Sequence, residues 1–102
     1  MTSVEVPNGN KTIPTQFTLS QNYPNPFNPS TNMDFTLPAS GRAILRVYNL
    51  LGQEVARLFD GIASGGETHH VVFDASRFAS GIYFSSLEFG GRVQLRKMVL
   101  LK

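Results

Sequence analysis

Apolar and polar residues alternate in short runs along most of the chain. Met33, Phe35 and Leu37 are separated by single polar residues, and residues 42–49 repeat the alternation with apolar odd-numbered positions up to Val47. Because successive side chains of a strand point to opposite faces, this period of two predicts strands that are buried on one face and wet on the other. Helix signals are nearly absent.

Turn residues divide the rest of the chain into further strands. Residues 49–52 end on a glycine and predict a hairpin into an antiparallel strand over residues 53–60. Residues 61–66 predict a second link. The strands that follow span residues 67–73, 82–89 and 92–101. The spacing is that of sandwiches and barrels, so we predict an all-β fold, an immunoglobulin-like antiparallel β-sandwich of about seven strands.

The last predicted strand contains a break in its hydrophobic period. Val93 and Leu95 share one parity, whereas Met98 and Leu100 share the opposite one. A β-bulge at residues 96–97 would bring both pairs to the same face. The alternative is a strand end that is buried on both faces.

Length and composition leave room for one folded domain. The chain has 102 residues, of which 41% are hydrophobic and 16% are charged. Residues 1–16 mix Pro, Thr, Asn and Gly without a hydrophobic period, as linkers do. We therefore assign residues 17–102 to the domain and residues 1–16 to a flexible linker from an absent upstream domain. Met1 runs directly into this polar segment, so we expect the chain to be a fragment of a longer protein.

Candidate metal-binding residues are few. The chain has no cysteine, which excludes disulfides, thiolate nucleophiles and sulfur ligands. His69 and His70 are adjacent on a predicted strand, where neighbouring side chains point to opposite faces and cannot chelate one metal. We expect His69 to be partly buried with a satisfied hydrogen bond, and His70 to be solvated.

Candidate catalytic residues are equally few. Ser76, His69 and Asp74 can be combined on paper into a hydrolase triad, but no nucleophile elbow accompanies them. Acids and serines at strand ends are what turns and caps require, and the other acids are dispersed. The sequence therefore predicts no catalytic residue, no metal, no cofactor and no enzyme activity.

The net charge of +2 is small but unevenly distributed. From Gly90 onward the chain has four basic residues and no acidic one: Arg92, Arg96, Lys97 and Lys102. A solvated strand face and a recognition surface for an anionic partner are both open as interpretations. Nucleic-acid binding would need a stronger basic field with interleaved aromatic residues, so we predict no nucleic-acid partner.

A proline-rich segment precedes the first clear strand. Residues 23–31 read Tyr-Pro-Asn-Pro-Phe-Asn-Pro-Ser-Thr, and each proline fixes its own φ and favours an extended residue before it. Because proline has no ladder donor, this segment cannot be a central strand. We expect a stiff lead-in that Tyr23 and Phe27 anchor to the sandwich, at the end opposite the terminal residues.

This proline segment and four later stretches, in this order, resemble the type A C-terminal sorting domain of the type IX secretion system. The later stretches are residues 35–38 (FTLP), 47–52 (VYNLLG), 80–84 (SGIYF) and 97–102 (KMVLLK). The resemblance covers the chain from about Leu19 to Lys102. Phe73 stands where the family often has tryptophan, which keeps a large aromatic side chain in the core.

The resemblance implies a domain that a linker attaches to a secreted enzyme or adhesin of Bacteroidetes-type bacteria. The cargo would pass through the periplasm, and an outer-membrane translocon would recognise the domain. A sortase-like peptidase would cut in or near residues 1–18, and the cargo would be joined to an anionic lipopolysaccharide or released. The product would be secreted or held at the cell surface.

The family motif carries over to fifteen positions, and we expect the terminal strand among them to be exposed and read by the export machinery. They are Tyr23, Pro24, Asn25, Pro26, Phe27, Asn28, Pro29, Gly81, Tyr83, Lys97, Met98, Val99, Leu100, Leu101 and Lys102. We expect the domain to be a monomer. An immunoglobulin-like adhesion or carbohydrate-binding module is the alternative function.

Overall fold

Seven β-strands form the regular structure of residues 16–102, the part of the chain that the computed structural model describes. They are β1 (Thr18–Leu19), β2 (Ser30–Thr36), β3 (Gly41–Asn49), β4 (Glu54–Ala63), β5 (Thr68–Asp74), β6 (Gly81–Phe89) and β7 (Arg92–Leu100). Of the linker predicted over residues 1–16, only Gln16 falls within this range. Within the same range, no helix has the length and apolarity needed to cross a membrane.

The strands form two sheets that face each other. One sheet has the order β1-β2-β5 and the other has the order β4-β3-β6-β7. Every neighbouring pair of strands is antiparallel. The predicted all-β, immunoglobulin-like sandwich of seven strands is therefore confirmed, and so is the antiparallel pairing of β3 with β4.

Alternation along the strands fills the space between the sheets. Met33 and Phe35 of β2 are buried, as are Leu45 and Val47 of β3. Phe35 contacts Phe59 of β4 across the core, with ring centroids 5.4 Å apart. The two inward faces thus bury the residues that the period of two selects, which is the main source of stability in a domain without disulfides.

The second predicted link is shorter than expected. Residues 61–66 were assigned to it because of their glycines, but β4 continues to Ala63. Gly61 and Ile62 pair with Ala43 and Arg42 of β3, which supplies hydrogen-bonding partners throughout this stretch. A long neighbouring strand therefore overrides the local preference of glycine for turns.

The β-bulge predicted at residues 96–97 is wrong. Strand β7 pairs with β6 from Arg92 to Leu100 without a register shift, whereas irregularities interrupt the pairing of β3 with β4. Val93 and Leu95 point outward and are 57% and 59% exposed. The alternative, a strand end buried on both faces, is also wrong, since Leu101 is 57% exposed beside the fully buried Leu100.

Two inward-facing positions of β7, residues 94 and 96, hold polar side chains. The alternation seen in the other strands would place apolar residues there. Gln94 accepts a hydrogen bond from Leu19 N at 2.9 Å and donates one to Phe17 O at 2.6 Å. Arg96 Nε donates to Leu19 O at 2.7 Å. These bonds satisfy backbone groups of β1 that have no neighbouring strand on that side, and they join the two sheets at one edge.

Candidate functional site

The proline segment lies directly beside the carboxyl end of β7. Phe27 N donates to Val99 O at 2.9 Å, and Leu101 N donates to Phe27 O at 3.0 Å, which forms a parallel bridge between Phe27 and Leu100. The side chain of Asn25 accepts a hydrogen bond from Val99 N at 2.9 Å. The expectation that this segment lies at the opposite end from the terminal residues is therefore wrong. The proline segment and the end of β7 are far apart in the sequence, and no local pattern in either of them indicates the contact.

The two aromatic residues of the segment differ in their surroundings. Phe27 is only 2% exposed, and its ring lies 6.0 Å from that of Phe73. Tyr23 is 79% exposed, so the prediction that its ring anchors the segment is wrong. The backbone of Tyr23 is nevertheless fixed, since its N–H and C=O both pair with Asn32 of β2. The Tyr23 ring is left free for contact with other molecules.

A buried hydrogen-bond network holds the segment in place, and the sequence analysis did not single it out. Asn22 Nδ2 donates to Pro24 O at 3.1 Å and to Thr31 Oγ1 at 3.0 Å, and Thr31 Oγ1 donates to Pro24 O at 2.8 Å. Asn22 and Thr31 are both buried. Buried polar groups without partners are costly, so this set fixes the path of the chain. A polar residue at each end of the proline run was the only available signal.

The start of β6 lies on the other side of the same strand end. Gly81 is opposite Leu100 and Tyr83 is opposite Met98 in the β6–β7 pairing. The φ of Gly81 is +155°, a conformation that residues with a Cβ rarely adopt. The Tyr83 hydroxyl donates to Ala79 O at 2.7 Å, which holds the preceding turn against the strand.

The turn between β3 and β4 lies at this end as well, because Asn49 is opposite Tyr83. The Asn49 side chain accepts hydrogen bonds from Leu51 N at 2.9 Å and Gln53 N at 3.0 Å, so it shapes the turn from within. Leu51 at its tip is 83% exposed. Four of the motif stretches that are far apart in sequence, the proline segment and residues 47–52, 80–84 and 97–102, therefore meet at one end of the sandwich, which we call the motif end.

Only part of the terminal stretch faces solvent, contrary to the expectation of an exposed strand. Met98 and Leu100 are fully buried, whereas Lys97, Leu101 and Lys102 are exposed. Lys102 is held by its backbone N–H, which donates to Ser80 Oγ at 2.9 Å, and by its Nζ, which donates to Ser76 O at 2.7 Å. The terminal stretch therefore contributes both to the core and to the surface.

Charge is paired on one edge of the four-stranded sheet and unpaired on the other. On β4, Arg57 binds Glu54 at 2.9 Å and Asp60 at 3.1 Å. Hydrogen bonds from Arg57 and Arg42, respectively, are the main reason that the pKa values of Glu54 and Asp60 lie below their ordinary values. Among the ion pairs of residues 16–102, none includes a basic residue of β7 or Lys102.

The residues of the hypothetical hydrolase triad have other partners. His69 Nε2 lies 2.8 Å from Ser64 O, while Ser76 Oγ donates to Asp74 Oδ1 at 2.7 Å. The hydrogen bond from the Ser76 side chain is the main cause of a lowered Asp74 pKa. His69 and Asp74 lie at opposite ends of β5, too far apart for a triad. The Asp74–Ser76 pair is a turn, as expected of an acid at a strand end.

The histidines are likewise engaged separately. His69 is partly buried with a satisfied hydrogen bond, as predicted, and its ring stacks on Phe35 at a centroid distance of 4.8 Å. His70 is exposed, but its Nδ1 lies 2.7 Å from Asp34 Oδ1 on the neighbouring strand, so it is not purely solvated. In the described part of the chain, no three His, Cys, Asp or Glu side chains are grouped so that they could hold a metal ion.

A known protein family covers most of the residues that form the motif end. The family model of the secretion system C-terminal sorting domain matches residues 21–101, a range that starts just before the proline segment and ends within the terminal stretch. No curated protein matches the chain. Because the match covers most of the chain and includes the stretches that meet at the motif end except for Lys102, the chain belongs to the family of secretion system C-terminal sorting domains.

Proposed function

We propose that the motif end is the surface through which the type IX secretion machinery recognises this domain. The family is one of sorting signals and not of catalysts, and its members direct proteins across the outer membrane towards secretion or the cell surface. The observation that carries the proposal is the meeting of four separate motif stretches at one end of the sandwich. Folding stability alone would not require the residues that face solvent there.

The exposed members of the motif end are the candidates for contact. They are Tyr23, Lys97, Leu101 and Lys102, with Leu51 at the adjacent turn. The buried members, among them Phe27 and Leu100, hold these side chains in position. Exposed aromatic and apolar side chains next to basic groups favour a protein partner, which in this proposal is the outer-membrane translocon.

We further propose that a sortase-like peptidase separates the cargo from the domain upstream of the sandwich. Phe17 and Leu19 are buried, and Arg92 lies over the Phe17 ring at 4.8 Å. A cut within residues 1–16 would leave these contacts intact, whereas a cut after Phe17 would remove core side chains. The released cargo would then be joined to an anionic lipopolysaccharide or set free.

Exchange of exposed terminal side chains tests the proposed recognition surface. In a full-length cargo that carries this domain, Leu101→Ser combined with Lys102→Glu should reduce surface and secreted cargo to about a tenth of the original amount or less, as for loss of a central apolar and charged contact. The measurement is cell fractionation with immunodetection. These positions are chosen because deletion of the last six residues would also remove the buried Met98 and Leu100.

The matched control is Val72→Ser, which removes an exposed apolar side chain from the other sheet. This variant should be exported like the original protein. Thermal melting of each purified domain shows whether folding is preserved. Normal export of the Leu101→Ser, Lys102→Glu cargo with an intact fold would refute recognition at the motif end.

A further inference from the structure

Among residues 16–102, part of the outer backbone edge of β7 has no hydrogen-bonding partner, and this part lies before the family motif. The N–H and C=O groups of Val99 point away from β6, because they bond Asn25 and Phe27 of the proline segment. In an antiparallel pair this direction alternates with every residue, so Leu95 and Val93 also point their backbone groups away from β6. The outer edge of β7 is therefore defined by its odd-numbered residues.

The proline segment covers only the last part of this edge. Val99 and Leu101 are bonded to it, and Lys97 O accepts a hydrogen bond from Gln21 Nε2 at 2.7 Å. Within residues 16–102, no hydrogen bond reaches the outward N–H and C=O groups of Val93 and Leu95. Their side chains are more than half exposed. The open edge, as we name residues 93–96, thus presents unpaired backbone groups beside an apolar surface.

The charges around the open edge have one sign. Arg92 and Arg96 lie on the face of β7 opposite to Val93 and Leu95, and neither forms an ion pair with a side chain of residues 16–102. On the opposite edge strand, β4, Glu54 and Asp60 neutralise Arg57, and Asp60 also pairs with Arg42 of β3. Basic residues on an edge strand deter pairing with neutral or basic strands, while they attract acidic ones.

From these observations we propose that the open edge accepts an extended segment of a partner protein in which apolar and acidic residues alternate. The segment adds a strand to the four-stranded sheet beside β7. Its backbone bonds Val93 and Leu95, and its apolar side chains cover theirs. Its carboxylates lie on its other face, where they pair with Arg92 and Arg96. The inference rests on the proposed function in so far as the partner belongs to the export machinery. It locates a second contact, upstream of the terminal residues.

Amide hydrogen exchange of the whole chain tests the edge directly. The probe is a capped peptide of alternating glutamate and valine, with a lysine–valine peptide as control. Without peptide, the amides of Val93 and Leu95 should exchange faster than those of Gln94 and Arg96, which face β6. The acidic peptide should slow exchange of the Leu95 amide by about tenfold or more, and by a smaller factor at high salt. The basic peptide should leave the exchange rate unchanged.

Three results would overturn the proposal. The first is equal exchange at Leu95 with and without the acidic peptide. The second is slow exchange at Leu95 before peptide is added, which would mean that residues 1–15 already cover the edge. The third is a dimer in sedimentation equilibrium whose Leu95 amide is protected from exchange and loses this protection on dilution. The occupant of the edge would then be a second copy of the chain.

The variant Leu95→Pro separates this site from the motif end. Its missing N–H points to the open edge and not to β6, and proline is tolerated at such edge positions. We expect the variant to melt like the original domain, to lose the protection by peptide and to reduce export of a full-length cargo at least about fivefold. The control Leu95→Thr keeps the N–H and should retain most of both activities.

The export results distinguish the two proposals. Suppose that a folded Leu95→Pro cargo is exported normally while export of the Leu101→Ser, Lys102→Glu cargo is blocked. This result refutes a role of the open edge in export and still supports recognition at the motif end. Normal export of the Leu101→Ser, Lys102→Glu cargo refutes recognition at the motif end. The hydrogen-exchange measurement then still decides whether the open edge binds an acidic strand.

Discussion

At the scale of single residues, burial divides the family motif into two groups with different tasks. Phe27 contributes a ring to the core and two backbone hydrogen bonds, one to β7 and one to Leu101 just after it, while Tyr23 contributes only backbone bonds and leaves its ring in solvent. Burial of a phenylalanine side chain is worth about 1.5–3 kcal/mol, whereas exposed side chains contribute little to stability. The same motif therefore contains buried residues that hold the surface in position and exposed residues that form the surface itself.

The substitution Phe27→Ala should lower the free energy of unfolding by about 3–5 kcal/mol, because it leaves a cavity beside Phe73. The matched substitution Tyr23→Ala should change it by less than about 0.5 kcal/mol. Urea denaturation followed by circular dichroism measures both. A similar loss of stability in the two variants would contradict the assignment of their roles.

Protonation of Asp74 should weaken the domain in acid. Its folded pKa lies below the ordinary value of 3.8, chiefly because Ser76 Oγ donates to the carboxylate. The stabilisation is therefore fully present above about pH 4 and disappears as the pH falls through the folded pKa. Ser76→Ala should raise the pKa of Asp74 towards its ordinary value and reduce stability near neutral pH, with the difference from the original protein vanishing in strong acid.

Carboxyl titration by NMR and melting temperatures from about pH 7 to about pH 2 test this prediction. Ser64→Ala is the control, because in the described structure the Ser64 hydroxyl forms no hydrogen bond. Only the backbone C=O of this residue takes part in one, with the His69 side chain. An Asp74 pKa that does not move in Ser76→Ala would show that the hydroxyl is not the cause of the shift.

At the scale of elements, the period of two located most strands but misplaced the faces of β7. The alternation predicted β2, β3 and β5 well, since most inward positions of each strand hold apolar side chains. In β7 the inward positions 94 and 96 hold polar side chains that serve the backbone of β1. Such long-range use of a polar side chain leaves no periodic signal, so a bulge was the simplest sequence interpretation.

Gln94→Leu would make the hydrophobic pattern of β7 more regular and should nevertheless destabilise the domain. The substitution removes the partners of Leu19 N and Phe17 O, and we expect a loss of about 1–3 kcal/mol in the free energy of unfolding. Val93→Thr, which changes an exposed neighbour, should have an effect below about 0.5 kcal/mol. Chemical denaturation of both variants gives the comparison, and a stabilised Gln94→Leu domain would refute the bridging role.

At the scale of the whole molecule, the fold class and the order of the local hairpins could be predicted, but the arrangement of the motifs could not. Hairpins join neighbours along the chain, and turn residues mark them. The bridge between Phe27 and Leu100 joins the two ends of the domain, and neither residue carries a mark of the other. The resemblance to the family identified the motif residues, and only the coordinates bring the four stretches together.

Removal of residues 98–102 should therefore unfold the domain rather than merely remove a tag. Met98 and Leu100 are fully buried, and residues 99 and 101 bond the proline segment. Loss of two core side chains costs about 4–10 kcal/mol, which is comparable to the whole stability of a small domain. The truncated chain should lack dispersed NMR amide signals, whereas a chain without Lys102 alone should retain them. A folded truncated chain would contradict this prediction.

The bridge between Phe27 and Leu100 also makes the motif end depend on two distant parts of the sandwich at once. The motif end can assemble only when Leu100 reaches Phe27, so both stretches must be present and folded together. A chain without the end of β7 lacks the partner strand for its own proline segment. Damage to either stretch would therefore disrupt the surface that the two stretches build together.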